Sequence, residues 1–314
     1  MVIPLPSIDM WNCILMGIPT FFVINIPILA LYLYNSYQYR SYGRKELSII
    51  ALSSSIIIFI YYCKNLCIKE IELLKFEPKI KDFNNGFKTI TYNINVLPFS
   101  EKSNNYLKLV KYLKNFDIIL IQESFYSPMS NMDKTNFSNL LNKEGYDVLI
   151  SPFPEFYDVQ WGDSGLVTAV KSSKLRIKEY KFIPFLSKKS VDSVSKKGVL
   201  QCTIVDNNGK ESIILNTHAQ AGYVNHWPND GLHIETRTDQ LKQLRSLVNK
   251  ENIIIGGDFN FRSEEEIDII KSKFRFNCIN SLDAIFSNYN MTEPEFNNPF
   301  DSDHYSVETV IEIK

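Results

Sequence analysis

Eight short runs rich in apolar and β-branched residues follow one another from residue 88 to the end of the chain, and they constrain the fold more than any other feature. They lie at 88–96, 117–122, 147–151, 165–171, 199–205, 212–217, 252–257 and 305–313. Helical periodicity appears in two series, Leu107-Val110-Leu113-Phe116 and Leu241-Leu244-Val248. Strands therefore outnumber helices and alternate with them irregularly. This pattern predicts an α/β fold in which two mixed sheets pack together and are flanked by helices.

The first 70 residues have a different character. Residues 11–34 carry no charged side chain and are long enough to cross the roughly 30 Å hydrocarbon layer as a helix. Residues 47–63 form a second uncharged run of borderline length, and Pro19 and Pro27 within the first run favour a kink or an interfacial placement. We expect residues 1–70 to attach to a membrane, with two buried core helices as the alternative. Residues 71–86 then form a connector and residues 87–314 the main domain.

The cysteines and the net charge indicate the redox compartment of the protein and the kind of partner it binds. Five cysteines without a C-x-x-C pair indicate neither a disulfide framework nor a zinc site, and they favour a reducing compartment, so we expect the main domain to face the cytosol. Cys63 and Cys67 are spaced for one helical face, where acylation would add an anchor; two ordinary buried thiols are the alternative. The formal net charge of -1 gives no global positive field for nucleic acid.

Polar side chains recur where the apolar runs end. They come in five groups: Asn93 with Asn95, Gln122 with Glu123, Asn216-Thr217-His218, Asp258-Phe259-Asn260, and Ser302-Asp303-His304. Strand ends hold side chains rigidly, so these groups are candidates for a shared site. Carboxylate oxygens are the ligands that Mg²⁺ prefers, and an aspartate next to a histidine can orient the ring for use as a general base. Each group taken alone also fits an ordinary turn or cap.

Taken in order, the five groups resemble the motif series of the DNase I-like endonuclease/exonuclease/phosphatase superfamily, over about residues 87–314. The resemblance implies a four-layer sandwich of two sheets between helices. It further implies that Glu123 binds Mg²⁺, or Mn²⁺ as a substitute, with Asn93 helping to hold the metal or phosphate. His218, Asp258 and Asn260 would surround the phosphate, and Asp303 with His304 would activate the attacking water.

Three local features are similar to those of the membrane-bound neutral sphingomyelinases. They are Leu97-Pro98 after the first motif, Gln220-Ala221 after the histidine motif, and the spacing of Asp192 and Lys197. The two N-terminal apolar runs are also similar to that subgroup. The resemblance implies hydrolysis of sphingomyelin to ceramide and phosphocholine at a bilayer, with anionic phospholipids as activators and no nucleic-acid partner. It implies that Asp192 and Lys197 form a regulatory switch; an exposed loop ion pair worth less than about 1 kcal/mol is the alternative.

Other functions stay open at this stage. A nuclease or DNA-repair endonuclease of the same fold would use the same chemistry, and a phospholipase C could act on another sphingolipid or on a lysophospholipid. A catalytically inactive membrane scaffold is a further alternative. The aromatic-rich residues 222–236 fit either a loop that binds lipid or its headgroup, or ordinary core packing or a lid.

Overall fold

The computed structural model describes residues 72–78, 86–96, 106–125, 134–152, 163–189, 192, 195–222 and 233–313. The two N-terminal apolar runs, Cys63 and Cys67 lie outside these residues. Within the described parts of the chain, no helix is both long enough and apolar enough to cross a membrane.

The strands and helices of the described residues alternate irregularly, as the sequence predicts. In chain order the strands are β1 Glu72–Leu74, β2 Gly86–Val96, β3 Ile118–Ser124, β4 Tyr146–Ile150, β5 Val167–Lys171, β6 Leu175–Pro184, β7 Gly198–Asp206, β8 Glu211–His218, β9 Ile253–Asp258, β10 Phe276–Asn280, β11 Asp283–Ser287, β12 Asn290–Met291, β13 Glu295–Asn297 and β14 Ser306–Glu312. The helices are α1 Tyr106–Leu113, α2 Lys134–Lys143, α3 Ile234–Ser246 and α4 Glu264–Lys271. All eight predicted runs form strands.

The strands assemble into two mixed sheets, which confirms the predicted fold class. The first sheet has the order β1-β4-β5-β3-β2-β14-β12, with β13 also paired to β14. The second has the order β10-β11-β9-β8-β7-β6. The parallel pairs β2–β3 and β8–β9 lie in the middle of their sheets. In each pair, the carboxyl ends of the two strands lie at the same end of the sheet. These are the strands that end in the predicted polar groups.

Three apolar clusters hold the layers together. One packs α1 and α2 on the outer face of the first sheet, a second fills the space between the sheets, and a third packs α3 and α4 on the outer face of the second sheet. The resulting order is helix, sheet, sheet, helix. One detail of the predicted α1 face is wrong: Leu107 is 72% exposed, and the buried positions are Tyr106, Leu109, Val110 and Leu113. Tyr106 takes the inner place because its ring stacks on Phe137 and Phe300.

The stretch expected to be a connector contributes an edge strand. Glu72–Leu74 pairs antiparallel with β4, so the first sheet extends upstream of Phe87. The buried carboxylate of Asp147 accepts a hydrogen bond from Phe76 N at 2.9 Å, and Arg176 donates to Phe76 O. A three-residue strand is too short to show a pattern in the sequence, and its pairing is fixed by these contacts from distant parts of the chain.

Cys202 offers a test of the packing between the sheets. Its side chain is fully buried, and burial raises the pKa of the thiol from 9.0 to about 12. Because the thiolate is the reactive form, we expect iodoacetamide to modify Cys202 in the native protein at least about 10³-fold more slowly than in the urea-unfolded chain. Mass spectrometry of the Cys202 peptide measures both rates. Equal rates would contradict the packing.

Candidate active site

Asn93 lies at the centre of the site. Its side-chain nitrogen donates to Glu123 Oε1 at 2.9 Å and to Asp258 Oδ2 at 3.0 Å. One amide at the end of β2 therefore holds the carboxylates that end β3 in the first sheet and β9 in the second. Ser302 adds to the arrangement by donating its hydroxyl to Asn93 O at 2.7 Å. The structure thus brings together side chains from both sheets, as their positions after apolar strands predicted.

Backbone conformation at two of the strand ends is unusual. Glu123 has φ of 56° and Asn260 has φ of 53°, both in the left-handed region. Asparagine adopts this region with some ease, but a glutamate there is uncommon, and such conformations cluster at functional sites. At the end of β9, a Cβ on Gly257 would lie 2.1 Å from Thr217 O, so glycine is required for the close approach of β8 and β9.

The carboxylates of Glu123 and Asp258 are suited to a divalent cation. Burial raises the pKa of Glu123 to about 7, with the charge of Asp258 adding to the effect against the opposing hydrogen bond of Asn93. The charges of Lys197 and His304 lower this pKa only in part, so a cation would add positive charge that stabilises the buried pair. Oxygen ligands of this kind fit Mg²⁺ or Mn²⁺. Glu123, His218 and Asp258 each offer a ligand atom within 4.8 Å of the others, as do Asp258, Asp283 and His304. The residues present therefore fit a metal.

His304 is held by a residue that the sequence interpretation missed. Its Nδ1 lies 2.6 Å from Asp283 Oδ2, and its Nε2 faces Asp258 Oδ2 at 3.8 Å. Burial lowers the pKa of His304, but the hydrogen bond to Asp283 and the charges of Asp258, Asp283 and Asp303 outweigh it and raise the pKa to about 10. Burial and the charge of Asp258 raise the pKa of Asp283 as well, so the proton of this short contact lies between two groups whose pKa values are both raised.

Asp303 does not orient the His304 ring, contrary to the expectation from their adjacency. It accepts a hydrogen bond from Asn95 Nδ2 at 2.6 Å and one from the Ser302 hydroxyl at 3.3 Å. Asp303 is exposed, whereas Asp283 is buried at the start of β11, directly opposite Asp258 on β9. The side chains of Asp303 and His304 therefore have different partners although they are adjacent in sequence. The carboxylate that contacts the His304 ring is Asp283, which the antiparallel pairing of β9 and β11 places next to Asp258.

His218 also lies beside the carboxylates, with Nε2 3.4 Å from Asp258 Oδ2 and 3.7 Å from Glu123 Oε1, and it is paired with a buried lysine. Lys197 Nζ lies 3.1 Å from His218 Nε2 and donates to Ala219 O at 2.8 Å. Burial lowers the pKa of His218, and the positive charges of Lys197 and His304 lower it further. A lysine can only donate, so Nε2 accepts and the neutral ring carries its proton on Nδ1, which is buried without a hydrogen-bond partner among the described residues.

Lys197 also pairs with Asp192, and the pair is buried. The two charged atoms are 3.1 Å apart, with side-chain exposures of 4% and 7%, so the alternative of an exposed loop pair does not hold. Asp192 accepts a further hydrogen bond from Ala221 N at 2.9 Å. Asn260, predicted to meet the phosphate, is buried beside Asp258 and donates to Ala219 O at 3.3 Å. The backbone of Ala219 and Ala221 therefore contacts both the Asp192–Lys197 ion pair and Asn260.

The buried amides Gln122 and Asn216 do not reach the carboxylates. Gln122 donates to Asn216 Oδ1 at 2.8 Å, and Asn216 donates to Ile121 O and Val167 O. These bonds tie the first sheet to the second directly beneath the site. In each of these two motifs, the amide residue joins the sheets, and the last residue, Glu123 or His218, lies in the site.

The sheets and the site together define a DNase I-like phosphoester hydrolase. The chain matches the Endonuclease/Exonuclease/phosphatase family over residues 90–304, and it belongs to that family. The family's members use divalent metals, in agreement with the ligand atoms found here. No match was found among curated proteins.

Solved structures share the fold at low sequence identity. Sphingomyelinase C from Streptomyces griseocarneus is 14% identical with a TM-score of 0.53, covering 73% of this chain and 100% of that one. Beta toxin from Staphylococcus aureus is 18% identical with a TM-score of 0.52, covering 71% and 99%. TDP2 from D. rerio, complexed with a single-strand DNA product, is 14% identical with a TM-score of 0.51, covering 72% and 99%. The fold is therefore shared by a lipid hydrolase and by a protein that holds DNA.

Proposed function

We propose that the chain is a Mg²⁺-dependent phosphodiesterase of the phospholipase C type that hydrolyses sphingomyelin to ceramide and phosphocholine. The observation that carries the proposal is the convergence of Glu123 and Asp258 on Asn93, with the imidazoles of His218 and His304 both within 4 Å of Asp258 Oδ2. In-line hydrolysis of a phosphodiester needs charge neutralisation at the phosphate and one positioned base, and this set can provide both.

The roles of the residues follow from their positions. Glu123, with Asp258 and Asn93, would hold Mg²⁺, and Mn²⁺ would substitute for it; the bound ion would neutralise charge on the phosphate. His218 and Asn260 would donate to phosphoryl oxygens. For His218 Nε2 to do so, Lys197 must give up its hydrogen bond to that atom, and the ring must carry its proton on Nε2 instead of Nδ1.

His304 would take the proton from the attacking water as the water oxygen bonds to phosphorus, while the bond from phosphorus to the ceramide oxygen breaks and that oxygen takes a proton from solvent. Asp283 would orient the ring and stabilise the imidazolium that forms. In the metal-free protein the charge of Asp258 helps to keep His304 protonated. A cation beside Asp258 would offset that charge and so lower the pKa of His304 toward the working range of a base.

Several features support a membrane lipid as the substrate. The net charge of -1 does not favour a nucleic-acid backbone, and the N-terminal 70 residues contain two long uncharged runs. We propose that these residues attach the domain to a bilayer with the domain in the cytosol, that anionic phospholipids activate it, and that Cys63 and Cys67 carry acyl anchors. Lys197 and Asp192 would act as a switch: Lys197 occupies His218 Nε2 in one position and leaves that atom free in the other.

Release of phosphocholine from sphingomyelin vesicles by the full chain tests the function. We expect release with Mg²⁺ or Mn²⁺, almost none with excess chelator, and a loss of about 10²–10⁴-fold in His304→Ala, since a general base contributes that much. Micelles of lysophosphatidylcholine, and separately plasmid DNA, are tested in parallel as substrates. Nicking of plasmid DNA without release from sphingomyelin would overturn the proposal in favour of a nuclease.

A further inference from the structure

The direction of β1 shows where the N-terminal 71 residues join the domain. Glu72 pairs with Ile150 at the carboxyl end of β4, and Leu74 pairs with Val148. β4 and β3 both run antiparallel to β5, so their carboxyl ends lie at the same end of the sheet. Glu123 lies one residue before the end of β3, and the chain therefore enters the sheet at the end that carries the active site.

The pairing register gives the approximate distance. Ile150 and Ile121 both lie opposite Val167, so Glu72, Ile150 and Ile121 are at one level of the sheet. Glu123 is two residues further along β3, a rise of about 7 Å, and three strand spacings away, about 14 Å. From residue 63, where the second uncharged run ends, the chain to Glu72 can span at most about 32 Å even when fully extended. A bilayer that holds residues 47–63 thus lies close to this end of the domain.

Exposed apolar side chains gather at the same end. The large exposed hydrophobic residues of the described parts are Leu107, Tyr180, Leu186, Ile234, Phe296 and Tyr305. Leu186 lies just beyond the end of β6, where Phe185 N donates to Lys197 O, and it is 90% exposed. Ile234 begins α3 and is 48% exposed, and Tyr305 follows His304 and is 56% exposed.

The opposite end of the domain is polar. The turn between β7 and β8 contains Asn208, and the turn before β9 contains Lys250, both exposed. Single exposed apolar residues are normal on a protein surface, so their number alone means little. Their placement around the active-site rim, at the end where the chain arrives from two uncharged runs, distinguishes this end of the domain from the other.

We propose that the active-site end of the domain is the face that rests on the bilayer holding residues 1–70, with Leu186, Ile234 and Tyr305 entering the interfacial layer. This inference rests on the proposed membrane attachment and names the surface through which the enzyme meets its substrate. Apolar and aromatic side chains bind this layer by burying their area among the headgroups and upper acyl chains. A lipid phosphodiester would then need to rise only a short distance to reach Glu123 and Asp258.

Photo-crosslinking of the full chain tests the orientation without requiring activity. p-Benzoylphenylalanine replaces Leu186 or Ile234 at the active-site end, and Asn208 or Lys250 at the opposite end, each in a separate protein reconstituted in vesicles of phosphatidylcholine and sphingomyelin. After illumination, mass spectrometry counts lipid adducts. We expect adducts at positions 186 and 234 and far fewer at 208 and 250. Equal or reversed yields, adducts at none of the four, or protein–protein adducts at 186 would overturn the proposal.

A matched pair of variants adds a functional readout. Leu186→Ser with Ile234→Ser should lower hydrolysis of sphingomyelin in vesicles by about tenfold while leaving hydrolysis of detergent-dispersed sphingomyelin unchanged, since two apolar anchors are lost. Tyr180→Ser, an exposed apolar residue in the middle of β6, is the control and should change neither rate. An equal loss on both substrates would contradict the proposal. A chain that hydrolyses neither substrate would refute the proposed function, whereas the crosslinks would still report the orientation.

Discussion

Replacing Asp283 with asparagine is expected to lower kcat/KM by about 10²–10⁴-fold, because the variant lacks the carboxylate that orients the His304 ring and stabilises its protonated form. The distance of 2.6 Å between His304 Nδ1 and Asp283 Oδ2 makes this the closest contact of the ring. The change of a single atom keeps the size of the side chain, so the loss should appear mainly in kcat rather than in KM.

Asp303→Asn is the matched control. Asp303 contributes charge near His304, but its hydrogen bonds go to Asn95 and Ser302. We expect it to lower kcat/KM by less than about tenfold, since only a charge at a distance is removed. If Asp303→Asn proved the more damaging of the two, the adjacency in sequence would have identified the right partner and the assignment of Asp283 would be wrong.

A titration separates an orienting role from a purely structural one. In metal-free protein the pKa of His304 is raised to about 10 by Asp283, Asp258 and Asp303 against the lowering effect of burial. Asp283→Asn removes both the hydrogen bond and one charge, so the pKa of His304 should fall, as followed by NMR of the ring protons. An unchanged titration in a variant that is folded but inactive would mean that Asp283 acts on something other than this ring.

The comparison of Asp283 with Glu123 shows what the sequence could predict about the site. Glu123, His218 and Asp258 each follow an apolar strand, so their position at one end of a sheet was visible in the sequence. Asp283 begins a strand instead, and it reaches His304 only because β11 pairs antiparallel with β9 and places it opposite Asp258. Which strand lies next to β9 depends on the whole fold, and no local pattern near residue 283 contains that information.

The helices differ in the same way. α3 was visible through its apolar spacing, whereas α2 is largely polar and α4 has a short acidic start. A signal for α4 was nevertheless present: Ser263 caps the helix and accepts a hydrogen bond from Glu266 N, the arrangement that a Ser-x-x-Glu sequence favours. The short strands β12 and β13 leave no comparable pattern, because their pairing with β14 is decided by the chain around them.

Lys197→Met is expected to lower the free energy of unfolding by about 3–5 kcal/mol, the usual effect of leaving a buried charge without its partner. The carboxylate of Asp192 would lose this ion pair and keep the hydrogen bond from Ala221 N. The double variant Asp192→Asn with Lys197→Met should recover part of the loss, because the unpaired charge is then absent. Urea unfolding of the unaltered chain, Lys197→Met, Asp192→Asn and the double variant, all as full chains in the same detergent, gives the coupling energy.

A coupling of at least about 2 kcal/mol is expected for two charges in direct contact. Strictly additive losses would show that the ion pair contributes little to stability although it is buried.

A further variant, Asp192→Ala, tests the switch, because Lys197 occupies His218 Nε2 while it is paired with Asp192. If Asp192 controls that position, Asp192→Ala should lower turnover at temperatures where the variant is still fully folded. It should also move the pH dependence of turnover, since the charge of Lys197 is one cause of the lowered pKa of His218. Unchanged turnover and pH dependence would leave the pair a structural element of the loop.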